Sequence, residues 1–161
     1  MTDRNTGVTF AKLPVAPTAY CNLSLFAPLD APLRWPDDLA ILFNFTSDRT
    51  GTRNLQMINH WGRQVPNPWL LMLEGPVNPD TNQYEMRTDR SHEWADCISA
   101  GVRVLEEFAR GRGRVGCYFN CPVALSFEIG LRTKVMNGPR RVYHFDTAGG
   151  IYHTAINSWP T

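Results

Sequence analysis

The chain has 161 residues, 43% hydrophobic and 19% charged, which is the composition of an ordinary globular protein long enough for one domain with a real core. A formal net charge of +1 excludes a global field that would draw it onto long nucleic acid or anionic lipid. Its four cysteines lack the spacing of a secreted scaffold, so free thiols and a reducing cytoplasm are expected.

The opening MTDRNTGVTFAKL has no apolar core of the signal-peptide kind, and no run of about 18 apolar residues predicts a membrane span. Residues 1–19 read as an N-terminal arm or irregular lead-in, and residues 20–161 as a single α/β domain. Tyr20 to Phe26 alternates as a strand. Pro28, Pro32 and Pro36 then exclude regular structure up to Asp37. Leu39 to Phe45 is a near-continuous apolar run of strand length, the pattern of a strand buried on both faces. A polar loop follows, from Thr46 through Ser47, Arg49 and Thr50 to Gly51. Arg53 to Trp61 predicts a short helix with Leu55, Met57 and Ile58 on its apolar side. Trp69 to Leu73 is a second apolar strand, closed by Glu74-Gly75-Pro76, and Tyr84 to Arg87 predicts a short edge strand.

The clearest helix comes next. Asp89 or Ser91 can cap it, Trp94, Ile98, Val102, Leu105 and Phe108 recur at helical spacing, and Gly111 and Gly113 stop it. Val115 to Phe119 is a strand, and Pro122 to Met136 a helix with Pro122 at its first position. Asn137-Gly138-Pro139 ends that helix. Arg141 to Phe145 and Ile151 to Ile156 are strands joined by Asp146 to Gly150, an antiparallel hairpin at one edge. Strands alternating with helices predict α/β layers around a mostly parallel sheet.

The chemistry concentrates at Phe119-Asn120-Cys121-Pro122, where a strand delivers a helix N-terminus. The first N–H groups of a helix have no intrahelical partner and carry partial positive charge, so an anion fits there. Asn120 and Cys121 can point at such an anion, or simply cap a structural helix. By the topology of parallel sheets, Thr46 to Gly51 and Glu74 to Asn78 gather at the same edge. Only Lys12 and Lys134 are lysine, which leaves 14 arginines among the 16 basic residues. Arginine suits bidentate recognition of phosphate or carboxylate, although a genomic preference for arginine gives the same count.

A second reading makes Cys121 a nucleophile, its pKa lowered by the helix N-terminus, with His144 or His153 and Asp146 as base and orienter. Phe119 and Val123 stand where a nucleophile elbow needs small residues. No zinc template, phosphate-binding loop or dinucleotide fingerprint is present, so neither metal nor cofactor is expected. Asp37-Asp38 and Glu106-Glu107 read as solvated charges, and Glu128 with Arg132 as a surface ion pair. Gly130 inside the last helix predicts a close approach to the sheet.

Phe119-Asn120-Cys121-Pro122-Val123-Ala124-Leu125, then Ile129-Gly130, then Arg141-Val142-Tyr143-His144-Phe145 and Tyr152, resembles in order and spacing the C-terminal signature of SAVED domains. The preceding Trp94-to-Phe108 helix fits the same pattern. The resemblance covers residues 88–157 and is topological over 20–87. It implies a Rossmann-like, CARF-like fold and a sensor of cyclic oligonucleotides, foremost cyclic oligoadenylate, in CBASS or type III CRISPR antiphage defence. It also implies a cytoplasmic chain that is not itself an enzyme and that self-associates into an oligomer or filament. Effector chemistry, as nuclease, TIR NADase or protease, would lie on a separate chain.

Only one CARF-like half can be placed where the family has two, so the pocket is expected to need a second copy or another chain. Carried over, the ligand-binding residues are Thr46, Ser47, Arg49, Thr50, Glu74, Gly75, Asn120, Cys121, Pro122 and Tyr152, with Arg49, Trp61 or Tyr152 stacking on a base. The alternatives are a small α/β hydrolase or ring nuclease-like enzyme using Cys121, and a non-binding structural subunit.

Overall fold

The computed structural model describes residues 10–14, 21–29, 36–46, 52–86, 89–109, 113–133, 140–146 and 148–157. These form strands β1 (Phe10–Pro14), β2 (Asn22–Pro28), β3 (Asp38–Asn44), β4 (Leu70–Glu74), β5 (Val77–Asn78), β6 (Gln83–Tyr84), β7 (Arg114–Asn120), β8 (Arg140–Asp146) and β9 (Ile151–Asn157). Three helices join them: α1 (Thr52–Gly62), α2 (Ser91–Val104), which runs on into a π-helical turn (Leu105–Ala109), and α3 (Val123–Arg132). Seven strands make one mixed sheet in the order β1-β2-β4-β3-β7-β8-β9. The four central strands are mutually parallel, and antiparallel pairs close both edges. The last pair, β8 with β9, is the expected antiparallel hairpin.

The apolar run of β3 explains the layering. Leu39 to Phe43 are all 0% exposed, with β4 on one side and β7 on the other. Because side chains alternate along a strand, Leu39, Ile41 and Phe43 enter a core shared with α2 and α3. Ala40 and Leu42 enter a second core under α1. β4 and β7 divide in the same way: Leu71, Leu73, Val115 and Cys117 on the α2/α3 side, Leu70, Met72 and Tyr118 on the α1 side. The crossover through α1 runs from β3 to β4. The one through α3 runs the other way along the sheet, from β7 to β8, and covers the opposite face. Both therefore keep one hand, as parallel crossovers do.

Several expectations change. Phe10–Pro14 is an edge strand paired with β2 from Phe10↔Pro28 to Pro14↔Ser24, not an irregular arm. Proline is tolerated there because it stands at the strand's end on an outer edge. The short edge strand expected at Tyr84 to Arg87 falls instead at Gln83–Tyr84, where β6 pairs with β5 in a separate two-stranded hairpin; Glu85 and Met86 are not strand, and Arg87 lies outside the described residues. Helix α2 starts at Ser91, but its N-cap is Arg90, with no side-chain cap bond; Arg90 instead pairs with Glu93 at 3.1 Å. Its buried residues are Glu93, Cys97, Ala100, Gly101 and Val104. Of the expected stripe, Leu105 is buried in the same core, while Trp94, Ile98 and Phe108 pack at its margin. Asp38 is not a solvated charge: its carboxylate accepts from Arg114 Nε at 3.1 Å and Nη2 at 2.6 Å, tying β3 to β7 at their first residues. Glu128 and Arg132 form the expected surface pair, at 3.0 Å.

Gly130 does not sit at a close approach, because a Cβ there would meet no atom within 4 Å. The tight contacts fall at Gly101, where a Cβ would lie 2.6 Å from Ile129 Cδ1, and at Gly116, 2.6 Å from the Trp61 ring and 3.1 Å from the Tyr143 ring. Gly116→Ala must displace two buried rings and is expected to cost about 1–3 kcal/mol. Gly130→Ala gains helix propensity in open space and is expected to stabilise by up to ~1 kcal/mol. Urea denaturation of the two variants checks the pair. Equal effects of one sign would contradict this placement of the helices.

Candidate functional site

The chain runs from β3 leftward to β4 and then crosses to β7 on the other side, so the strand order reverses between β3 and β7. Ligand crevices of open α/β sheets lie at the carboxyl ends of strands flanking such a point. Here Asn44 and Asn120 end the two strands directly opposite one another. Asn120 Nδ2 donates to Asn44 Oδ1 at 3.1 Å, and Thr46 Oγ1 donates to the Asn120 carbonyl at 3.2 Å. Backbone bonds finish the knot: Phe45 N–H to the Asn120 carbonyl at 2.9 Å and Gly75 N–H to the Asn44 carbonyl at 3.0 Å. Thr46, Glu74, Gly75 and Asn120 are thus brought together at one sheet edge. Gly75 is required there, because a Cβ would lie 2.3 Å from the Phe45 ring. Ser47, Arg49 and Thr50 lie outside the described residues.

The turn itself departs from expectation. Pro122 is the N-cap of α3 rather than its first helical residue, with φ −55° and ψ 141° and no side-chain cap bond. Asn120 is spent on Asn44, whereas Cys121 packs against the α2/α3 core and its sulfur accepts hydrogen bonds from Ser126 near the start of α3. Burial pushes the Cys121 thiol up to about 12, against weaker opposing hydrogen bonds from Ser126. The helix N-terminus therefore does not yield the thiolate that a nucleophile needs. Cys117 is likewise raised to about 12 by burial. Cys97 is raised by its hydrogen bond with Cys21, Sγ to Sγ at 3.4 Å, together with burial.

Tyr152 sits in a different cluster, on the α1 face. Its ring lies 5.2 Å from His60, 5.3 Å from Tyr118 and 5.0 Å from Phe145, centroid to centroid. Tyr118 and Tyr143 stack at 4.7 Å, with His60 edge-on to Tyr143 at 4.7 Å. The Tyr118 hydroxyl is hydrogen-bonded to His60 Nδ1 at 2.5 Å. Burial, and then the nearby Arg63 guanidinium, lower His60 to about 4, so the ring is neutral at neutral pH. Burial raises Tyr118 well above its usual value, which keeps the phenol protonated. The bond serves either tautomer of the neutral ring: the phenol donates to Nδ1 when the ring proton is on Nε2 and accepts from Nδ1–H when it is not. Beside this cluster a cavity of about 270 Å³ opens between α1 and the β8–β9 hairpin, lined by Gln56, Asn59, His60, Arg63, Phe145 and Tyr152 among others. The hairpin tip is held by Asp146, whose carboxylate accepts from Ala148 N–H at 3.0 Å, and by Gly150 at φ +66°.

Sequence reasoning named Tyr152 but missed His60, Tyr118 and the cavity. Four residues from one helix and three strands meet there only through tertiary pairing. The available signal was His60 following buried Met57 and Ile58 on a helix, opposite tyrosines at strand positions of one parity. Trp61, offered as a base-stacking ring, is fully buried, and its Nε1–H donates to the Trp69 carbonyl at 2.9 Å. His153 pairs with Asp146 at 3.5 Å on the exposed hairpin.

On the opposite face, α3 and the hairpin frame an open apolar groove of about 540 Å³ lined by Val123, Phe127 and Ile156 among others. Among the described residues no group of three or more His, Cys, Asp or Glu is placed to hold a metal ion, and no helix is long and apolar enough to cross a membrane. No family model matches the chain, and no curated protein matches it at a significant level.

A histidine whose folded pKa lies below its unfolded value binds fewer protons folded than unfolded between the two. Its burial therefore costs stability as pH falls from about 6.5 toward 4. Above pH 7 the ring is neutral in both states and the cost vanishes. His60→Gln keeps a side-chain acceptor for Tyr118 and cannot titrate. The melting-temperature advantage of the native chain over this variant is expected to shrink steadily between pH 7 and pH 4.5. Parallel pH profiles would show that His60 titrates as an exposed imidazole.

Proposed function

We propose that this chain is a non-catalytic binding module for a cyclic oligonucleotide, foremost cyclic oligoadenylate, that activates effector chemistry carried by a separate chain. The observation that carries the reading is the polar edge at the strand-order reversal, where Thr46, Glu74, Gly75 and Asn120 converge at the carboxyl ends of β3, β4 and β7. Support also comes from the order of Asn120-Cys121-Pro122, Tyr143 and Tyr152, which resembles SAVED domains, and from the parallel β4-β3-β7-β8 core with helices on both faces expected of a Rossmann-like sensor. The α3 N-terminus, whose N-cap Pro122 makes no side-chain cap bond, adds N–H groups suited to a phosphate at the same edge. A second copy or a partner chain would close over that edge, and binding would be coupled to association. A thiolate mechanism at Cys121 draws no support from a buried thiol raised to about 12.

Thermal shift with cyclic di-, tri- and tetra-adenylates tests the reading. A ligand at about 100 times its Kd adds roughly 2.7 kcal/mol. At about 2–4 °C per kcal/mol for a chain of this size, that is a rise on the order of 5–10 °C. Thr46→Val alters an exposed hydroxyl and Asn120→Ala removes the strand-end amide; both are expected to suppress the rise. If no member of the panel raises the melting temperature, with or without co-purifying chains, the module does not sense these ligands and a structural role takes its place.

A further inference from the structure

Two of the four cysteines have no part in the sensor reading, yet the fold brings them into contact. Cys21 and Cys97 are 76 residues apart in the chain, and their sulfurs lie 3.4 Å apart. Cys21 stands immediately before β2, outside its ladder, and Cys97 lies in the middle of α2. Both are buried, at 1% and 0% exposure, in the core between the sheet and α2. The Cys21 thiol donates to Cys97 Sγ, and the Cys97 thiol is directed on toward Met86 Sδ at 4.0 Å. Thiols are weak donors and weak acceptors, so these contacts contribute little by themselves. What they supply is proximity. A covalent S–S bond is about 2.05 Å long, so closing it takes a shift of about 1.4 Å shared between two side chains. The bond would fasten α2 to the start of β2, beside Glu74 at the carboxyl end of β4. It would also close a long loop, which is where a cross-link constrains the unfolded chain most.

We infer that Cys21 and Cys97 are a thiol pair that a small-molecule disulfide oxidises to an intramolecular disulfide within the native fold, locking α2 onto the start of β2. Because both sulfurs are buried, exchange begins when the segment at Cys21 opens locally. The Cys21 thiolate attacks one sulfur of the reagent R–S–S–R. A mixed disulfide forms, and the expelled RS⁻ takes up the proton that Cys21 lost. On reclosure the Cys97 sulfur attacks the Cys21 sulfur, the bond from Cys21 to the reagent sulfur breaks, and the second RS⁻ takes up the Cys97 proton. The two cysteine thiols are oxidised by two electrons, and the reagent is reduced to two thiols. Excess dithiothreitol reverses both steps. No ligand at the Thr46–Asn120 edge takes part, so the pair stands or falls independently of cyclic-oligonucleotide sensing.

Intact mass and peptide mapping of the full chain, incubated in native buffer with hydroxyethyl disulfide, test the inference. The chain is expected to lose the mass of two hydrogens. An unreduced digest is expected to contain the Cys21 peptide linked to the Cys97 peptide, with Cys117 and Cys121 still open to alkylation in denaturant. The oxidised chain is expected to melt roughly 5–15 °C above the reduced one, and dithiothreitol to remove the rise. Cys97→Ser is expected to abolish both the linked peptide and the rise. Should that variant fail to fold, the peptide map and melting of the native chain decide alone. The proposal is overturned if Cys21 and Cys97 stay free or capped by the reagent. It is equally overturned if either is linked instead to Cys117, Cys121 or a second chain, or if the linked chain melts no higher than the reduced one.

Discussion

Burial of β3 on both faces is the constraint on which the rest of the structure depends. A strand whose five central side chains are 0% exposed can exist only with paired neighbours on both edges and packed helices on both sides. That requirement places β4 and β7 beside it, α1 over one face and α2 with α3 over the other. It also fixes where the chain must reverse. Having gone one way to β4, the chain must cross β3 to add β7, and the two strands that flank the reversal end in Asn44 and Asn120. A buried asparagine at that point would be costly without partners. The Asn44–Asn120–Thr46 bonds meet that need and in doing so define a polar sheet edge.

The two faces are not equal. One helix covers the α1 face, where small Gly116 lets Trp61 and Tyr143 sink onto the sheet. The hairpin half of that face is left to His60 and the tyrosines, and a cavity remains. Two helices cover the other face, yet α3 turns Val123 and Phe127 outward, and the groove there is apolar. Among the described residues, polar side chains gather at the strand ends and on the α1 side, while the α3 side offers a mainly hydrophobic surface. Cys121 stands at the boundary and belongs to the second environment, which is why its thiol is raised rather than activated.

The central strands were legible from residue type alone. LAILFN, LLML and VGCYF are short apolar runs, and burial on both faces is what such runs require. The hairpin was legible from its turn residues. Features set by tertiary contact were not. The strand at Phe10–Pro14 has no marked alternation and owes its place to pairing with β2. The core face of α2 is shifted from the bulky stripe toward Cys97, Ala100 and Gly101, since α3 approaches too closely for larger side chains. Of the expected ligand residues, Thr46, Glu74, Gly75 and Asn120 do converge, whereas Tyr152 belongs to the His60 cluster. That cluster was invisible because no spacing rule links a helix histidine to tyrosines on three strands.

Amide shift mapping by nuclear magnetic resonance, with cyclic tri- and tetra-adenylate titrated into the labelled chain, tests the central claim most directly. The account predicts that the Thr46, Gly75 and Asn120 amides move together and saturably, while Phe127 and Leu131 on the far side of α3 stay fixed. Shifts confined to α3 and its apolar groove, or no shifts at all, would contradict it.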